Sequence, residues 1–469
     1  MALLHGGKVV TPDGVLDRGS VRIDGETLTA VGQLDPEPGE EVLDCAGCVV
    51  LPGGVEPHCH LDLEAGDEVT ADDFATGTRA ALAGGTTTVI DFATQFQGQS
   101  LATALDRWTA KAAGRAVTDF AFHLAMTQWR PEFAAEMAAM VQRGVTSFKL
   151  YMAYRGSMMV EDDEILAALR ASAALGATIG FHCENGRLVD ALVQEALAAG
   201  HTTPYFHAAT RPAVLEAEAV ERLEVVAALA GAPHYVVHLS SGPGLDAVRC
   251  GRAAGNTVAA ETCPQYLLLD VSAYGGPDDD DLGRRAFVMS PPLRGAADRE
   301  ALWGALADGD VQFVGSDHCS FDLVGQKDRA ADFAHTPNGA PGIQLRLALM
   351  WSAGVATGRL DPARFAAVTA TNAARYFGLH PRKGALVPGA DADVVVLDPA
   401  VRWTVTAAGL HENVDHTPYE GMEVHGRIRD VFLRGRHAVA RGNLVDDLPS
   451  GRYLACGLPD TGPAGTEER

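Results

Sequence analysis

The sequence predicts an α/β protein in which a closed (β/α)8 barrel is joined to a smaller β domain built from both ends of the chain. Eight apolar, strand-like runs follow one another in the middle of the 469-residue chain, with helical segments between most of them. Both ends of the chain instead carry short strands and turns. Histidine, lysine and aspartate residues stand at the ends of several runs, where barrels of this kind form their active sites.

The β domain is predicted from residues 1–50 together with residues 384–456. Its strand-like segments include Lys8–Val10, Ser20–Gly25, Ala392–Leu397 and Asp430–Gly435. We expect the two parts to pair with each other into one small β domain. Residues 457–469 are rich in Gly, Pro, Thr and Glu, and we expect them to form a mobile tail.

The barrel is predicted from residues 51–383, where strands alternate with helices. The predicted strands are the one at His58 and the runs Thr86–Phe92, Phe120–Leu124, Ser147–Tyr151, Thr178–His182, Tyr235–Leu239, Thr257–Glu261 and Val311–Asp317. Helices are predicted at Asp72–Ala83, Glu161–Leu175 and Arg211–Ala230. The first of them stops at Gly84-Gly85, a common signal for the end of a helix.

The composition argues against several classes of function. Lys and Arg number 37 against 61 Asp and Glu, and the net charge of −24 would repel nucleic acids and anionic membranes. No apolar run reaches the roughly 18 residues of a membrane span. The first residues lack the layout of a signal peptide, so we expect a cytoplasmic protein with reduced thiols. Cys45 and Cys48 are interpreted as strand residues and not as a zinc or redox pair.

Four histidines and one aspartate are the first candidate metal ligands. His58 and His60 stand two positions apart, so on a strand both point to the same side and can reach one ion. His182, His238 and Asp317 follow at the ends of later predicted strands. These ligands suit zinc or manganese, and a single zinc ion takes only about three or four of them. The sequence therefore predicts two divalent metal ions, with zinc favoured over manganese.

Lys149 is predicted to bridge the two metals. Desolvation and nearby positive charge favour the neutral form of a lysine amine, which can add carbon dioxide and become a carbamate. This N6-carboxylysine would offer one oxygen to each metal. Two metals would share a water and lower its pKa towards about 7. Asp317 would orient the resulting hydroxide, act as its general base and later pass the proton to a leaving nitrogen.

A series of motifs runs through the chain in a fixed order. They are Pro52–Asp62 (PGGVEPHCHLD), Thr70–Gly77 (TADDFATG), Phe148–Tyr154 (FKLYMAY), His182–Gly186 (HCENG), His207–Pro212 (HAATRP), Ala260–Leu267 (AETCPQYL), Ser290–Arg294 (SPPLR), Ser316–Cys319 (SDHC), Pro337–Ile343 (PNGAPGI) and Asn413–Val424 (NVDHTPYEGMEV). From about residue 3 to residue 455, the chain resembles the cyclic amidohydrolases of the hydantoinase and dihydropyrimidinase type. The resemblance implies a TIM barrel with a β-sandwich domain, usually in a homotetramer, that hydrolyses hydantoins or dihydropyrimidines to N-carbamoyl amino acids.

The resemblance also implies a role for each site residue. The ligands would be His58 and His60 for the more buried metal, His182 and His238 for the more exposed one, carbamylated Lys149 between them, and Asp317 as both ligand and base. Tyr154 would donate a hydrogen bond to the developing oxyanion. Ser290 and Asn338 would hold the cyclic amide substrate, largely through backbone groups.

The sequence departs from the family pattern where specificity is set. After the second histidine the family commonly has Asp-Met-Pro-Phe-Gly-Gly, whereas this chain reads DLEAGDE from residue 62 to residue 68. Ala65 therefore stands in place of a bulky aromatic residue, and we expect a wider pocket for the exocyclic group of the ring. The loop acids Glu64, Asp67 and Glu68 either favour a cationic substituent or are simply solvated. Gln344 stands where the family usually has an acid.

Three alternative functions are a dihydroorotase, an allantoinase and a metal-free scaffold protein. Dihydroorotases usually carry an arginine directly after the His-x-His pair, but this chain has Leu61 there. Allantoinases often continue with Glu-Pro-Gly-Arg, which is absent here, and an allantoinase or another cyclic-ureide hydrolase is kept as the alternative enzyme. The family also includes metal-free scaffold proteins that have lost ligands. All six ligand positions are intact in this chain, which disfavours a scaffold.

Overall fold

The computed structural model describes residues 1–461, which form an eight-stranded sheet, a nine-stranded sheet and a two-stranded hairpin. The strands are β1 (Ala2–Thr11), β2 (Gly14–Asp24), β3 (Thr27–Gly32), β4 (Glu41–Asp44), β5 (Val49–Pro52), β6 (Gly54–Cys59), β7 (Glu64–Ala65), β8 (Glu68–Val69), β9 (Thr86–Gln95), β10 (Asp119–Met126), β11 (Ser147–Tyr151), β12 (Thr178–His182), β13 (His234–Val236), β14 (Val258–Thr262), β15 (Phe313–Val314), β16 (Val394–Thr404), β17 (Glu423–Leu433), β18 (Arg436–Ala440) and β19 (Asn443–Leu444).

Most of the helices lie between the strands of the eight-stranded sheet. They are α1 (Phe74–Ala83), α2 (Leu101–Ala112), α3 (Phe133–Gln142), α4 (Asp162–Leu175), α5 (Gly186–Ala198), α6 (Tyr205–Ala209), α7 (Ala213–Ala230), α8 (Gly242–Ala253), α9 (Pro264–Leu268), α10 (Ala296–Asp308), α11 (Arg346–Met350), α12 (Pro362–Ala366) and α13 (Asn372–Tyr376). None of the helices within residues 1–461 has the length and apolar character that crossing a membrane requires.

The eight-stranded sheet is a parallel barrel. Its strands are ordered β6, β9, β10, β11, β12, β13, β14, β15, the order in which they occur along the chain. The barrel closes beyond the last strand, where the His60 amide donates to the His318 carbonyl at 2.8 Å. The strands carry continuous buried runs, because helices cover their outer face. The predicted (β/α)8 barrel is confirmed.

The second sheet joins the two ends of the chain. β5 pairs in parallel with β1, through Lys8 and Val49, and antiparallel with β16, through Val394 and Pro52. β16 continues into β17, β18 and β19, whereas β1 continues into β2 and β3. A separate apolar cluster packs within this part of the chain. The expectation that both ends build one β domain is therefore confirmed, while the boundaries at residues 50 and 383 stay a prediction.

Two predicted strands end earlier than the sequence suggests. The strand predicted to reach Leu239 ends at Val236, and the strand predicted to reach Asp317 ends at Val314. His238 and Asp317 both adopt left-handed backbone conformations, with φ of 39° and 50°. A strand cannot continue through such a conformation. Both side chains are thus presented from loops at the strand ends.

The first residue of the predicted mobile segment is hydrogen-bonded to the barrel. The Thr146 hydroxyl donates to the Gly457 carbonyl at 2.7 Å, and the Gly457 amide donates to the Gly378 carbonyl at 3.0 Å. These bonds attach the start of the predicted tail to the barrel. Of the predicted mobile segment 457–469, residues 462–469 lie outside the described residues.

A buried ion cluster joins the barrel to the second sheet. Lys383 Nζ lies 2.6 Å from Asp119 Oδ2 at the start of β10, 2.8 Å from Asp393 Oδ2 and 2.9 Å from Asp391 Oδ2. Lys383 is 1% exposed, so its ammonium depends on these carboxylates for its charge balance. The cluster fixes the base of the barrel against the strand β16.

Lys383→Met is expected to destabilise the protein by about 3–5 kcal/mol, because it leaves the buried carboxylate of Asp393 without a cation. Thermal unfolding of the purified variant would measure the change. Arg382→Met is the matched control, since this neighbouring exposed cation also pairs with Asp391, at 3.0 Å, and should contribute less than about 1 kcal/mol. Equal losses in the two variants would contradict the role given to Lys383.

Candidate metal centre

The barrel brings all six predicted metal positions to one end. His58, Lys149 and His182 lie on or at the carboxyl ends of β6, β11 and β12. The remaining positions, His60, His238 and Asp317, follow β6, β13 and β15 in the connecting loops. The four histidines and Lys149 are buried, and Asp317 is partly exposed. The carboxyl ends of parallel strands meet at one rim of the barrel, so residues far apart in the chain are brought together there.

His58, His60 and Asp317 form the tightest cluster. Asp317 Oδ1 lies 3.1 Å from His58 Nε2 and 3.4 Å from His60 Nε2. One ligand atom from each of the three residues lies within 4.8 Å of the others, a spacing that suits one metal ion. The Lys149 amine lies 3.0 Å from His58 Nε2 and so reaches the same cluster.

His182 and His238 form a second pair beside the first. His182 Nδ1 lies 3.0 Å from His238 Nε2. On its other side, His182 Nε2 lies 2.8 Å from the Glu184 carboxylate. A ring nitrogen that donates to a carboxylate leaves the opposite nitrogen with its lone pair, which is the form that binds a metal. His182 therefore faces the site through Nδ1.

Two buried glutamates orient the first histidine. His58 Nδ1 lies 2.5 Å from Glu261 Oε1, and the same carboxylate accepts from the His238 amide at 3.1 Å. Glu56 accepts from the His58 amide at 2.9 Å and is itself paired with Arg346 at 2.8 Å. These contacts direct His58 Nε2 towards Asp317 and form a polar layer beneath the site.

The sequence reasoning did not assign Glu56, Glu184 or Glu261 a role. Each of the three lies inside a family motif, PGGVEPHCHLD, HCENG or AETCPQYL, and this position could have marked it as part of the site. A motif shows that a residue belongs to the pattern, but it does not show which histidine nitrogen the residue contacts.

The donor set fits divalent metal ions. Burial lowers the pKa of His60 to about 4, and burial together with His182 lowers the pKa of His238. Both imidazoles are therefore neutral, the form that donates a lone pair. The Nε2 atom of His60 lies 3.4 Å from Asp317, and the Nε2 atom of His238 lies 3.0 Å from His182. Nitrogen and oxygen donors converge here, which supports divalent metal use by this protein.

The site shifts Lys149 towards its neutral form and keeps Asp317 ionised. Burial lowers the pKa of Lys149, although Asp317 and Glu261 act against this shift. Burial also disfavours ionised Asp317, but the charge of His58 and hydrogen bonds from His58 and His60 hold the pKa of its carboxyl well below the usual range. The lysine amine is thus brought towards its nucleophilic neutral form, and the aspartate stays ionised beside it.

The three predicted substrate residues lie next to one another, beside His182. The Tyr154 ring lies 4.9 Å from the His182 ring, measured between centroids. The Ser290 hydroxyl donates to Asn338 Oδ1 at 3.3 Å, so these two residues are adjacent. Burial raises the pKa of Tyr154, and a hydrogen bond with Ser290 acts in the opposite direction. The phenol therefore stays protonated and can donate a hydrogen bond.

Three residues of the site have strained backbone conformations. Tyr154 has a φ of 65°, and His238 and Asp317 share this left-handed region. Each such residue costs about 1–3 kcal/mol and persists only where the surrounding structure holds it. This pattern is typical of residues whose side chains must point in one direction for function.

The loop that departs from the family pattern is a short hairpin formed by β7 and β8. The Glu64 carboxylate pairs with Arg107 and, at 3.0 Å, with Lys111 on α2. Glu68 accepts from the Gln326 amide at 2.9 Å. These two acids already have partners, so of the three loop acids Asp67 is the one that is exposed and has no hydrogen-bond or ion-pair partner among residues 1–461. The contacts disfavour a cationic substituent as the specificity determinant.

The histidines left unassigned by the sequence have other partners. His207 Nε2 donates to the Met289 carbonyl at 2.8 Å, and His318 Nε2 lies 3.1 Å from Asp72. His123 lies 3.0 Å from the Pro57 carbonyl through Nε2, and His234 pairs with Glu224 at 3.0 Å. All eight cysteines, including Cys45 and Cys48, are free.

Comparison with known proteins agrees with this geometry. Residues 49–438 match the model of the amidohydrolase family. The chain is 40% identical over 454 residues to a D-hydantoinase of Geobacillus stearothermophilus, covering 96% of each chain. Its fold matches a dihydropyrimidinase from Brevibacillus agri NCHU1002 with a TM-score of 0.94 at 40% identity, covering 97% of this chain and 99% of the other.

The chain is more similar to a D-hydantoinase than to an L-hydantoinase of known structure. A D-hydantoinase from Bacillus sp. AR9 has a TM-score of 0.94 at 42% identity, covering 98% of this chain and all of the other. An L-hydantoinase from Arthrobacter aurescens has a TM-score of 0.87 at 27% identity, covering 97% of this chain and 99% of the other. By sequence and by fold, the chain belongs to the amidohydrolase family, within its hydantoinase and dihydropyrimidinase group.

Proposed function

We propose that this protein is a metal-dependent hydrolase that opens cyclic amides, namely 5-substituted hydantoins or dihydropyrimidines, to N-carbamoyl amino acids. The observation that carries the proposal is the pairing of a convergent His, Lys and Asp donor set with the adjacent Ser290 and Asn338. The relatives named D-hydantoinase and dihydropyrimidinase support the same reaction.

Two divalent ions, zinc or manganese, would be held by this donor set. His58 and His60 would bind one ion, His182 and His238 the other, with Asp317 as a further ligand and carbamylated Lys149 as the bridge. When bound, the metals supply Lewis acidity that lowers the pKa of water and polarises the ring carbonyl. The lowered pKa of Lys149 supports carbamylation, because the neutral amine is the form that adds carbon dioxide.

Asp317 would move the proton during ring opening. Its carboxylate is ionised, lies between His58 and His60, and can accept a proton from the attacking water. The same oxygen would then pass the proton to the ring nitrogen as the amide bond breaks. Without this transfer the nitrogen would have to leave as an anion, which is a poor leaving group.

Tyr154, Ser290 and Asn338 would position the ring. The Tyr154 hydroxyl would donate to the carbonyl oxygen as negative charge develops on it. The backbone groups of Ser290 and Asn338 would bind the N–H and C=O groups of the amide. Such hydrogen bonds fix the orientation of the ring, so the attacked carbonyl faces the donor set.

The stereochemical preference is proposed to be for D substrates. The greater identity to the D-hydantoinases than to the L-hydantoinase supports this preference.

An allantoinase is the alternative enzyme, and a metal-free scaffold is the alternative of another class. A homotetramer and a cytoplasmic location remain expectations from the resemblance and the composition, and light scattering of the purified protein would test the first.

Turnover of a substrate panel would test the proposed function. The protein, supplied with zinc or manganese and bicarbonate, would be assayed on dihydrouracil, on both enantiomers of 5-phenylhydantoin and 5-methylhydantoin, and on allantoin. We expect ring opening of hydantoins or dihydrouracil, with faster turnover of D enantiomers, and loss of activity after chelation that added metal restores. Preference for allantoin would support the alternative enzyme, and no turnover of any ring by metal-loaded protein would refute the proposal.

A further inference from the structure

One buried lysine lies outside the metal centre and contacts both substrate segments. Lys327, in the 3-10 turn Lys327–Arg329, is fully buried. Its Nζ atom donates to the carbonyls of Val288 at 3.1 Å, Pro337 at 2.8 Å and Gly339 at 2.8 Å. Val288 precedes Ser290 by two residues, and Pro337 and Gly339 flank Asn338. Lys327 thus joins the segment 288–290 to the segment 337–339.

The three bonds account for all the donors of a lysine ammonium. An ammonium has three N–H groups, and here each meets one carbonyl. Burial lowers the pKa of Lys327 to about 7, and no carboxylate of residues 1–461 lies within ion-pair distance of it. A neutral amine has only two N–H donors, so only an ammonium can make all three of these bonds. The contacts therefore match the charged form.

Other bonds hold the carbonyls around Ser290. The Gly339 amide donates to the Val288 carbonyl at 3.1 Å, linking the two segments directly. The Met289 carbonyl accepts from His207 at 2.8 Å, and the Pro291 carbonyl accepts from the Tyr266 hydroxyl at 2.8 Å. The carbonyl of Ser290 itself has no donor within the described chain.

The same pattern holds around Asn338. The carbonyls on both sides of it are bound to Lys327, whereas its own backbone N–H and C=O have no partner in residues 1–461. Buried or half-buried backbone groups without a partner are rare in proteins. A cyclic amide has both N–H donors and C=O acceptors, which complement the free groups of Ser290 and Asn338.

We propose that Lys327 is a positioning residue that holds the segments 288–290 and 337–339 in register, so that the free backbone groups of Ser290 and Asn338 can bind the cyclic amide together. The inference rests on the proposed function for the identity of the ligand. The geometry of the two segments does not depend on it. Lys327 acts through these segments and does not itself contact the substrate.

Lys327→Met tests the proposal, because methionine fills similar volume without any donor. We expect KM for the best ring substrate to rise at least about tenfold while kcat falls less than about threefold, since ring binding is lost and the donor set is kept. Metal content should be unchanged. Lys327→Arg, which keeps donors and charge, should recover part of the loss in KM.

Lys383→Met is the matched control, since it also removes a buried ammonium with three oxygen partners, but at the opposite end of the barrel. It should lower the thermal stability and leave KM unchanged. If Lys327→Met does not accumulate as folded protein, Lys327→Gln is measured in its place by the same criteria. An unchanged KM, or the same KM change in the Lys383 control, would overturn the proposal.

Amide exchange gives a readout that does not require turnover. Peptides covering residues 286–291 and 336–342 should exchange hydrogen for deuterium faster in Lys327→Met than in the wild type, because the bond from Gly339 to Val288 loses its support. The Lys383 control should leave these peptides unchanged. If the wild type opens no ring, the proposed function fails, whereas unchanged exchange in the variant shows that Lys327 does not hold the two segments.

Discussion

Lys149→Ala is expected to lose at least one metal ion and nearly all activity. The Lys149 amine lies 3.0 Å from His58 Nε2 and is buried, so the mutation would remove the proposed bridging carbamate and leave a cavity beside His58. We expect kcat to fall by more than about 10²–10³-fold, the loss typical of removing one group that stabilises charge in the transition state. Metal content by mass spectrometry and kcat on a hydantoin would measure the two effects.

Short carboxylic acids provide the internal control for this variant. Acetate or propionate can place two oxygens in the space left by the side chain, and should restore part of the activity of Lys149→Ala while leaving the wild type unaffected. Two tightly bound metal ions and a full rate in Lys149→Ala would show that the carbamate assignment is wrong.

Asp317→Asn is expected to have the second largest effect. The amide keeps the size of the side chain but cannot accept the proton of the attacking water, so kcat should fall by about 10²–10⁴-fold with a smaller change in KM. The pKa of Asp317 is held well below the usual range, against the effect of burial, by His58 and by the hydrogen bond from His60. The wild type should therefore keep its base ionised at mildly acidic pH.

Metal analysis separates the two roles of Asp317. A variant that retains both ions and loses kcat has lost the base, whereas one that loses an ion has lost a ligand. Glu224→Gln is the matched control, because it also removes a buried carboxylate, which pairs with His234 at 3.0 Å at the start of β13 and away from the site. Equal rates for Asp317→Asn and the wild type would exclude the proposed proton transfer.

The barrel could be predicted from the sequence because its signals are local. Each strand is an apolar run of a few residues, and the count of such runs and the helices between them are visible without any contact. The ends of the strands β13 and β15 were predicted too late in the sequence. His238 and Asp317 lie after their strands in left-handed conformations, which depend on the packing around each residue and not on its neighbours in sequence.

The candidate site was predicted as a set of residue types. The spacing of His58 and His60 alone indicates that both side chains point to the same side of the strand. The other ligand positions were predicted because active sites form at the carboxyl ends of barrel strands. The specificity loop was predicted less well. Its acid Glu64 is held by Arg107 and Lys111 of α2, and such a pairing cannot be read from residues 62–68 alone.

The sequence by itself determined the fold class, the six positions at the metal centre and the family, since these depend on periodicity, residue type and order. The tertiary structure decided which atoms face each other. His58 and Glu261 are 203 residues apart in the chain and only 2.5 Å apart in space, and that contact selects the ring nitrogen that faces the site. It also decided that Lys327 joins two distant segments. Contacts of this kind depend on how separate elements pack, and no local pattern of side chains specifies them.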